Sequence, residues 1–214
     1  MRVVVFSSAD KSRSEVNDVI RMFDNGLECF HLRKPKFRRK ELEKYILAIP
    51  SEYRDRIILH THHQLASIYG LKGVHHTRAH RKKKWKRFIE VKFSKISRKK
   101  LMYTRSYHSL SDFTNNLKVY DYIFLSPVFD SISKSSHKSS FKKGDITQVL
   151  KSSKLKIYAL GGINPETAEK AFRMGFDGIA VLGYIWEAKQ NPVDAFLKIK
   201  DKIKTLEQKM SVAV

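Results

Sequence analysis

Short apolar runs alternate with amphipathic segments from one end of the chain to the other, and this alternation limits the possible folds more than any other feature. Apolar runs without polar alternation are typical of parallel strands that are buried on both faces. The eight runs predict strands over Val3–Phe6, Cys29–Leu32, Ile57–His60, Gly73–His75, Leu101–Thr104, Tyr122–Leu125, Ile157–Leu160 and Gly178–Leu182. The segments between them predict helices over Glu15–Phe23, Arg39–Ile49, His63–Tyr69, Ser109–Leu117, Gly144–Leu150, Pro165–Met174 and Trp186–Lys204. Strand–helix units in this order favour an α/β fold, a (β/α)8 TIM barrel rather than an open doubly wound sheet.

The length of the chain fits one such barrel. At 214 residues it is near the lower limit for the fold and short for two domains, so we expect residues 1–214 to form a single TIM-barrel domain. The weak part of the pattern is Thr77–Ser97, where the fourth helix belongs. This segment is so basic that few apolar side chains remain to pack, and we expect an irregular or short fourth helix there.

The composition indicates a globular protein of the cytoplasm. Hydrophobic residues make up 42% of the chain, and no apolar run approaches the roughly 20 residues that a membrane span needs. The first apolar run is too short for a signal peptide and predicts a strand instead. The lone cysteine, Cys29, cannot form an internal disulfide, and its apolar surroundings predict a buried thiol in a reducing compartment.

The formal net charge of +22 predicts attraction to anionic partners. Much of the positive charge lies in Arg78–Arg87 and Arg98–Lys100, with Trp85 available for stacking. This combination suits a nucleic-acid interface, but no zinc finger, RNP aromatic pair or helix–turn–helix signature accompanies it. We therefore favour a solvated basic loop, and we expect phosphorylated small molecules as partners rather than nucleic acid or a membrane. A homodimer is compatible with the sequence.

Two glycine-edged segments near the C-terminus predict a phosphate site. In Ile157–Pro165 a buried strand leads through two glycines to a helix that Asn164 caps and Pro165 opens. A second strand ends in glycine within Gly178–Gly183. The loops after the seventh and eighth strands of a barrel commonly bind phosphate through backbone amides. The residues that we expect to bind phosphate are Gly161, Gly162, Leu182 and Gly183. The alternative is that these glycines only make turns.

The other strand ends carry cationic and hydroxyl side chains and hardly a carboxylate. They comprise His31–Lys34, His60–His63, His75–Thr77, Arg105–His108 and Ser126–Pro127. Because barrel active sites lie at the C-terminal ends of strands, we expect these side chains to converge on one rim and to bind an anion. Arg33 offers a planar fork for phosphate, and Lys134 a point charge. The segment Ser131–Lys143 is rich in Ser and Lys and predicts a mobile loop on the same face.

Histidines are concentrated at two of these strand ends. The five are His60, His62, His63, His75 and His76, and in principle they could bind zinc. Catalytic zinc sites commonly combine three protein ligands with carboxylate support in the surrounding shell. Alternate residues of a strand point to opposite sides, so His60 and His62 could share a side while His63 starts a helix. We favour neutral, hydrogen-bonding histidines and predict no metal ligand.

Several pieces, taken in order, resemble the thiamin phosphate synthase family, which includes the thiazole tautomerases. They extend from about Val3 to Ile185 and include His31-Leu32-Arg33, Leu65-Ala66, Gly73-Val74-His75, Ser106–Ser109, Asp121-Tyr122, Ser126–Phe129, Lys134, Ala159–Ile163 and Gly175–Val181. The resemblance implies a βα barrel that joins a hydroxymethylpyrimidine diphosphate to a thiazole phosphate and releases diphosphate. It also implies the use of Mg²⁺.

The resemblance also implies roles for individual residues. Arg33 would hold the diphosphate with Ser106 nearby, and Lys134 would contact the diphosphate or the pyrimidine. These three are the predicted catalytic residues. Gly162 and the Gly183 loop would hold the thiazole phosphate. The remaining predicted substrate-binding residues are His31, His60, Ser131 and Ser133.

The chain departs from the family at the metal-binding positions. Where the family has Asn-Asp after the third strand, this chain has His60-Thr61. Where the family has a second metal-binding Asp after the fourth strand, the run His76–His80 has no carboxylate. Mg²⁺ would therefore have little to hold it except the diphosphate itself.

These departures keep other functions open. One alternative is a tautomerase-like enzyme, although the tautomerase base is a His where this chain has Pro127, so that His108 or His137 would have to replace it. A second is a non-catalytic thiazole phosphate binder. A remote third is a barrel that binds a polyanion or nucleic acid.

Overall fold

The computed structural model describes residues 1–10, 14–77, 100–110, 119–130, 141, 143–187 and 190–212. Within these residues, eight strands follow one another around a closed barrel in sequence order. They are β1 (Arg2–Phe6), β2 (Phe30–Leu32), β3 (Ile57–Leu59), β4 (Gly73–His76), β5 (Met102–Tyr107), β6 (Tyr122–Leu125), β7 (Lys156–Leu160) and β8 (Gly178–Val181). The pairs β1–β8, β2–β3, β3–β4, β4–β5, β6–β7 and β7–β8 are parallel. The predicted (β/α)8 barrel is confirmed.

Helices follow the strands along the described parts of the chain. They are α1 (Glu15–Asp24), α2 (Arg39–Leu47), α3 (Ser51–Arg54), α4 (Gln64–Ile68), α5 (Lys143–Ser152), α6 (Pro165–Met174), α7 (Gly183–Trp186) and α8 (Pro192–Val212). The single turn α3 follows Pro50 and was not predicted. The irregular or short fourth helix predicted within Thr77–Ser97 falls almost wholly on residues 78–99, outside the described residues, as does most of the helix predicted over Ser109–Leu117.

The C-terminal helix differs from the prediction. A single helix over Trp186–Lys204 is wrong, because α7 already ends at Trp186 and α8 begins at Pro192. Proline fixes its own φ and disfavours helical backbone in the residue before it, so a helix starts at Pro192 instead of passing through it. Asn191 accepts a hydrogen bond at Oδ1 from the amide of Val193 (2.9 Å), which stabilises this start.

Residue contacts divide the chain into two compact units. One comprises Met1–Val5 with Ser106–Val214, and the other comprises Phe6–Arg105. The expectation of a single domain over residues 1–214 stays a prediction.

The unit Phe6–Arg105 has a core formed by its strands and the inner faces of α1 and α2. Val19, Met22 and Phe23 of α1 are buried, and the ring of Phe23 packs edge-on against Phe30 of β2. Cys29 is buried here as a free thiol, as the sequence predicts.

The unit that contains Ser106–Val214 has its own core between β6, β7 and the C-terminal helices. Tyr122 and Tyr158 stack with their ring centroids 4.5 Å apart. The long helix α8 packs against α6 and buries Phe196 and Ile199.

A charged network lies inside the first of these cores. The ammonium of Lys34 is 2.6 Å from Oε2 of Glu15, and both side chains are almost completely buried. Lys34 also donates to the carbonyl of Asp10 (2.7 Å), while the hydroxyl of Tyr45 donates to Oε1 of Glu15 (2.6 Å). The sequence groups Lys34 with the anion-binding cations at the strand ends. In the structure, Lys34 is buried and pairs with Glu15 instead.

Candidate functional site

Three histidines meet at the C-terminal ends of β2, β3 and β4. His31 lies in β2, His60 directly follows β3 and His75 lies in β4, and their exposed fractions are 0%, 2% and 3%. Nδ1 of His31 and Nε2 of His60 form a hydrogen bond of 3.0 Å. The rings of His60 and His75 stack with centroids 4.1 Å apart, and Nδ1 of His75 is 2.9 Å from Oγ1 of Thr104. We refer to His31, His60 and His75 as the histidine cluster.

Burial keeps the histidine cluster neutral. It lowers the pKa of His31 to about 3, and it holds the pKa of His60 and the pKa of His75 well below their usual value. Repulsion from the neighbouring histidines and from the guanidinium of Arg33 acts in the same direction on His60 and His75. Neutral, hydrogen-bonded rings agree with the sequence expectation, and the hydrogen-bond partner of His60 is His31.

Arg33 directly follows β2, and its side chain is exposed. Its amide donates to Oγ of Ser7 (2.8 Å), and the Ser7 hydroxyl donates back to the Arg33 carbonyl (3.0 Å). Ser7 is buried, so this pair of hydrogen bonds fixes the base from which the guanidinium extends. The sequence offered no sign of this contribution from Ser7.

The turn after β7 needs its two glycines for reasons of packing and backbone shape. Gly161 and Gly162 have φ values of +98° and +65°, in the left-handed region that favours glycine. A Cβ on Gly161 would lie 2.8 Å from Cα of Pro127, and one on Gly162 would lie 2.3 Å from the carbonyl oxygen of Asp130. Both glycines are therefore required by the close approach of the loop after β6, whether or not a ligand binds.

Helix α6 begins with a closed cap. The amide of Thr167 donates to Oδ1 of Asn164 (2.8 Å), and the amide of Asn164 donates to Oγ1 of Thr167 (2.8 Å). The Thr167 hydroxyl in turn donates to the carbonyl of Gly162 (2.7 Å). Asn164 as N-cap and Pro165 as first helical residue are found as predicted. Thr167 was missed, although its place three residues after the N-cap is the sign of a capping box.

A short helix follows β8 without a linker. Leu182 is the residue before α7, and Gly183 is its first helical residue. Since β7 and β8 pair side by side, their C-terminal ends are neighbours. A loop after strand seven, a loop after strand eight and a short extra helix form the arrangement in which barrels frequently bind phosphate. The sequence placed the glycines correctly but did not predict the short helix.

Of the remaining predicted site residues, Ser106 lies within the described part of the chain. Ser106 lies inside β5, which extends to Tyr107, so the prediction that this strand ends at Thr104 is wrong. Thr104 and Tyr107 are both buried, which keeps this part of the chain against the core. Lys134, Ser131 and Ser133 lie outside the described residues, as do most of the Ser131–Lys143 loop and most of the basic segment at 78–100.

The donor atoms at the ends of β3 and β4 do not fit Mg²⁺. The described residues there are His60 and Thr61 after β3, and His76 and Thr77 at the end of β4, with no carboxylate among them. Mg²⁺ binds oxygen ligands, usually carboxylates and phosphates, and does not favour imidazole. In the described part of the chain, the group of side chains close enough to hold a metal ion is the histidine cluster.

Among the described residues, no helix combines the length and the apolar character that crossing a bilayer would take.

The closed parallel barrel, with a glycine turn after β7 and a short helix after β8, defines the protein as a (β/α)8 barrel with the layout that such barrels use for phosphate. Residues 2–185 match the family of thiamine monophosphate synthases, and the chain belongs to this family.

Two solved thiamine phosphate pyrophosphorylase structures have a similar fold. The thiamine phosphate pyrophosphorylase structure from Bacteroides thetaiotaomicron has a TM-score of 0.77 at 24% identity, covering 95% of this chain and 98% of that one. The one from Pyrococcus furiosus has a TM-score of 0.73 at 19% identity, covering 95% and 96%. These two similarities show the fold.

Two curated relatives match a shorter part of the chain. The thiamine-phosphate synthase of Leptospira biflexa is 30% identical over 82 residues, which is 38% of this chain and 39% of that protein. The thiamine-phosphate synthase of a Psychrobacter species is 34% identical over 74 residues, or 35% of each chain. The matched segments thus span well under half of these relatives.

Proposed function

We propose that this chain is a thiamin phosphate synthase-like enzyme, which joins hydroxymethylpyrimidine diphosphate to thiazole phosphate. In this reaction the bond between the pyrimidine methylene carbon and the diphosphate oxygen breaks, and a bond forms from that carbon to the thiazole nitrogen. The observation that carries the proposal is the glycine turn after β7 beside the short helix after β8, in a member of this family.

The thiazole phosphate is assigned to the ends of β7 and β8. Gly161 and Gly162 in the turn, with Leu182 and Gly183 at the start of α7, bring backbone amides to two neighbouring strand ends. Backbone amides at such positions favour a phosphate dianion. The amides of Asn164 and Thr167 already donate within the α6 cap, so they contribute less to this role.

The diphosphate is assigned to Arg33. Its exposed guanidinium can form two parallel hydrogen bonds to phosphate oxygens, and the Ser7 contacts fix its backbone. Positive charge that meets the departing diphosphate lowers the barrier to breaking the carbon–oxygen bond. Ser106 and Lys134 are proposed to assist, and Ser131 and Ser133 to contact the substrate. His31 and His60 stay predicted substrate-binding residues, although both are buried.

The experiment combines both phosphorylated precursors with the protein and measures thiamin phosphate by chromatography, with Mg²⁺ and without it. Arg33→Ala should lower the rate by roughly 100-fold or more, because a charge that acts on the leaving group is lost. Arg173→Ala is the matched control, since Arg173 is an exposed arginine that pairs with Glu169 on α6. Equal rates in the two variants would contradict the role of Arg33, and binding of thiazole phosphate without product under any metal condition would contradict the synthase.

A second candidate function is a non-catalytic thiazole phosphate binder or a tautomerase-like enzyme. The observation that favours it is the missing carboxylate at the described ends of β3 and β4. A tautomerase would need a base near Pro127, and the described candidate is His108, an exposed residue whose Nδ1 is 2.8 Å from the Ser126 carbonyl oxygen. Calorimetric binding of thiazole phosphate with no turnover would support the binder.

A further inference from the structure

The interior of the barrel near the ends of β2–β4 contains polar rings where branched apolar side chains are usual. His31, His60 and His75 come from three successive strands, and each is at least nine-tenths buried. One ligand atom from each ring lies within 4.8 Å of the other two. Three ring nitrogens from the ends of three successive strands therefore lie close together.

We propose that the histidine cluster binds one late first-row divalent transition ion, with Zn²⁺ as the representative, and not Mg²⁺. Neutral imidazole nitrogen is a preferred ligand of zinc, cobalt, nickel and copper. The family's use of Mg²⁺ depends on carboxylates that the described strand ends lack. The inference concerns a site made by this chain's own residues and does not depend on the proposed reaction.

The distances are close to those of a coordination sphere. A tetrahedral site with zinc–nitrogen bonds of about 2.0–2.1 Å places its ligand nitrogens roughly 3.3 Å apart. Nδ1 of His31 and Nε2 of His60 already face each other at 3.0 Å. The ligand atoms of the cluster all lie within 4.8 Å of one another, so completing the sphere requires the third nitrogen to approach by at most about 1.5 Å.

The surroundings of the cluster resemble the support that metal ligands receive. Oγ1 of Thr104 is 2.9 Å from Nδ1 of His75, and this contact orients the ring. Phe6 stacks on His31 with ring centroids 4.7 Å apart and meets His60 edge-on, so one wall of the site is apolar. Three neutral ligands leave the ion doubly charged, and it would therefore recruit an anion such as hydroxide or a phosphate oxygen at its fourth position.

The test uses the full chain, freed of metal with a chelator, in a phosphate-free buffer and without any substrate. Co²⁺ is titrated in and its visible absorption recorded, because tetrahedral Co²⁺ reports coordination by nitrogen ligands. We expect one Co²⁺ per chain, displaced by one equivalent of Zn²⁺ and unaffected by millimolar Mg²⁺. His31→Gln and His75→Gln should each weaken binding by at least about 100-fold, and Thr104→Val by about 10- to 100-fold.

His108→Gln is the matched control, because His108 is an exposed histidine outside the cluster. The affinity of this variant for Co²⁺ should equal that of the wild type. Circular dichroism establishes whether each variant is folded. If a glutamine variant fails to fold, the wild-type stoichiometry and Thr104→Val decide, since valine closely matches the volume of the buried threonine. Absence of a tetrahedral Co²⁺ spectrum, equal affinity in wild type and all cluster variants, or displacement by Mg²⁺ would overturn the proposal. Because no substrate is present, the result is independent of whether the chain makes thiamin phosphate.

Discussion

At Gly162 a glycine would let phosphate approach the backbone, but the packing of the turn also requires glycine there. The sequence explained the glycine by close approach of a phosphate to the backbone. The structure places the Asp130 carbonyl oxygen 2.3 Å from the position that a Cβ would occupy, with φ at +65°. Loss of ligand binding after a large substitution here would therefore report damage to the turn as much as a lost contact.

We predict that Gly162→Ala lowers the free energy of unfolding by at least about 2 kcal/mol, from left-handed strain together with the clash. Gly175→Ala is the matched control: it has φ of +89° but nothing within 4 Å of the added Cβ, so it should cost about 1 kcal/mol. Urea unfolding of both variants measures the difference. Equal losses would mean that the loop after β6 moves aside freely.

The histidine cluster and Lys34 mark the limit of what the sequence could predict about single residues. Alternation within a strand suggested that His60 and His62 share a side, but the neighbours of His60 come from β2 and β4, and their register is set by the whole barrel. The sequence groups Lys34 with the cationic side chains at the strand ends. Its partner Glu15 looks in the sequence like an ordinary acidic residue of a first helical turn.

At the scale of elements, the Glu15 carboxylate joins three segments of the unit Phe6–Arg105. It belongs to α1, accepts from Tyr45 of α2 and pairs with Lys34 after β2. Burial raises the pKa of Glu15, and the hydrogen bonds from Lys34 and Tyr45 act against that shift. An ion pair in such surroundings gives little net stability, but removing one partner leaves an uncompensated buried charge.

Lys34→Met should therefore destabilise the protein by about 3–5 kcal/mol, while the double variant Glu15→Gln/Lys34→Met should recover a large part of that loss. Lys36→Met is the matched control, because Lys36 is an exposed lysine two residues away, and it should change stability by less than about 0.5 kcal/mol. A double-mutant cycle by urea unfolding measures the coupling. If the Lys34→Met variant were as stable as the Lys36→Met variant, the buried ion pair would be dispensable for stability.

The elements themselves were largely readable from the chain. Buried parallel strands are continuous apolar runs, so all eight were placed within a few residues of their observed ends. The errors occurred where packing extends an element, as at Tyr107, or where a proline starts a new one, as at Pro192. Helix α7 is only four residues long, too short for a periodic pattern to predict it.

At the scale of the whole molecule, the buried histidines link stability to pH. The pKa of His31 is lowered by burial to about 3 in the folded protein, from the ordinary 6.5 that applies when the chain is unfolded. The pKa values of His60 and His75 are lowered in the same direction. Between the two values the unfolded chain binds more protons, so stability is fully present above about pH 6.5 and is lost as the pH falls below it.

For the metal-free protein, we predict that the free energy of unfolding falls as the pH drops below about 6.5. Each histidine that is protonated only on unfolding contributes a slope of up to about 1.4 kcal/mol per pH unit, and three together contribute up to about 4 kcal/mol per pH unit. Urea midpoints at about pH 7.5, 6.5 and 5.5 measure the slope. His31→Gln should reduce the slope below pH 6.5 by roughly a third. A midpoint that stays constant across this range would contradict the prediction.

The close approach between the Gly161–Gly162 turn and residues Pro127–Asp130 has a consequence for how this family evolves. Selection for folding alone keeps both positions as glycine, so a descendant that had abandoned its ancestral substrate would still carry them. A glycine pair at these positions therefore reports the packing of the turn and not the substrate that the barrel accepts.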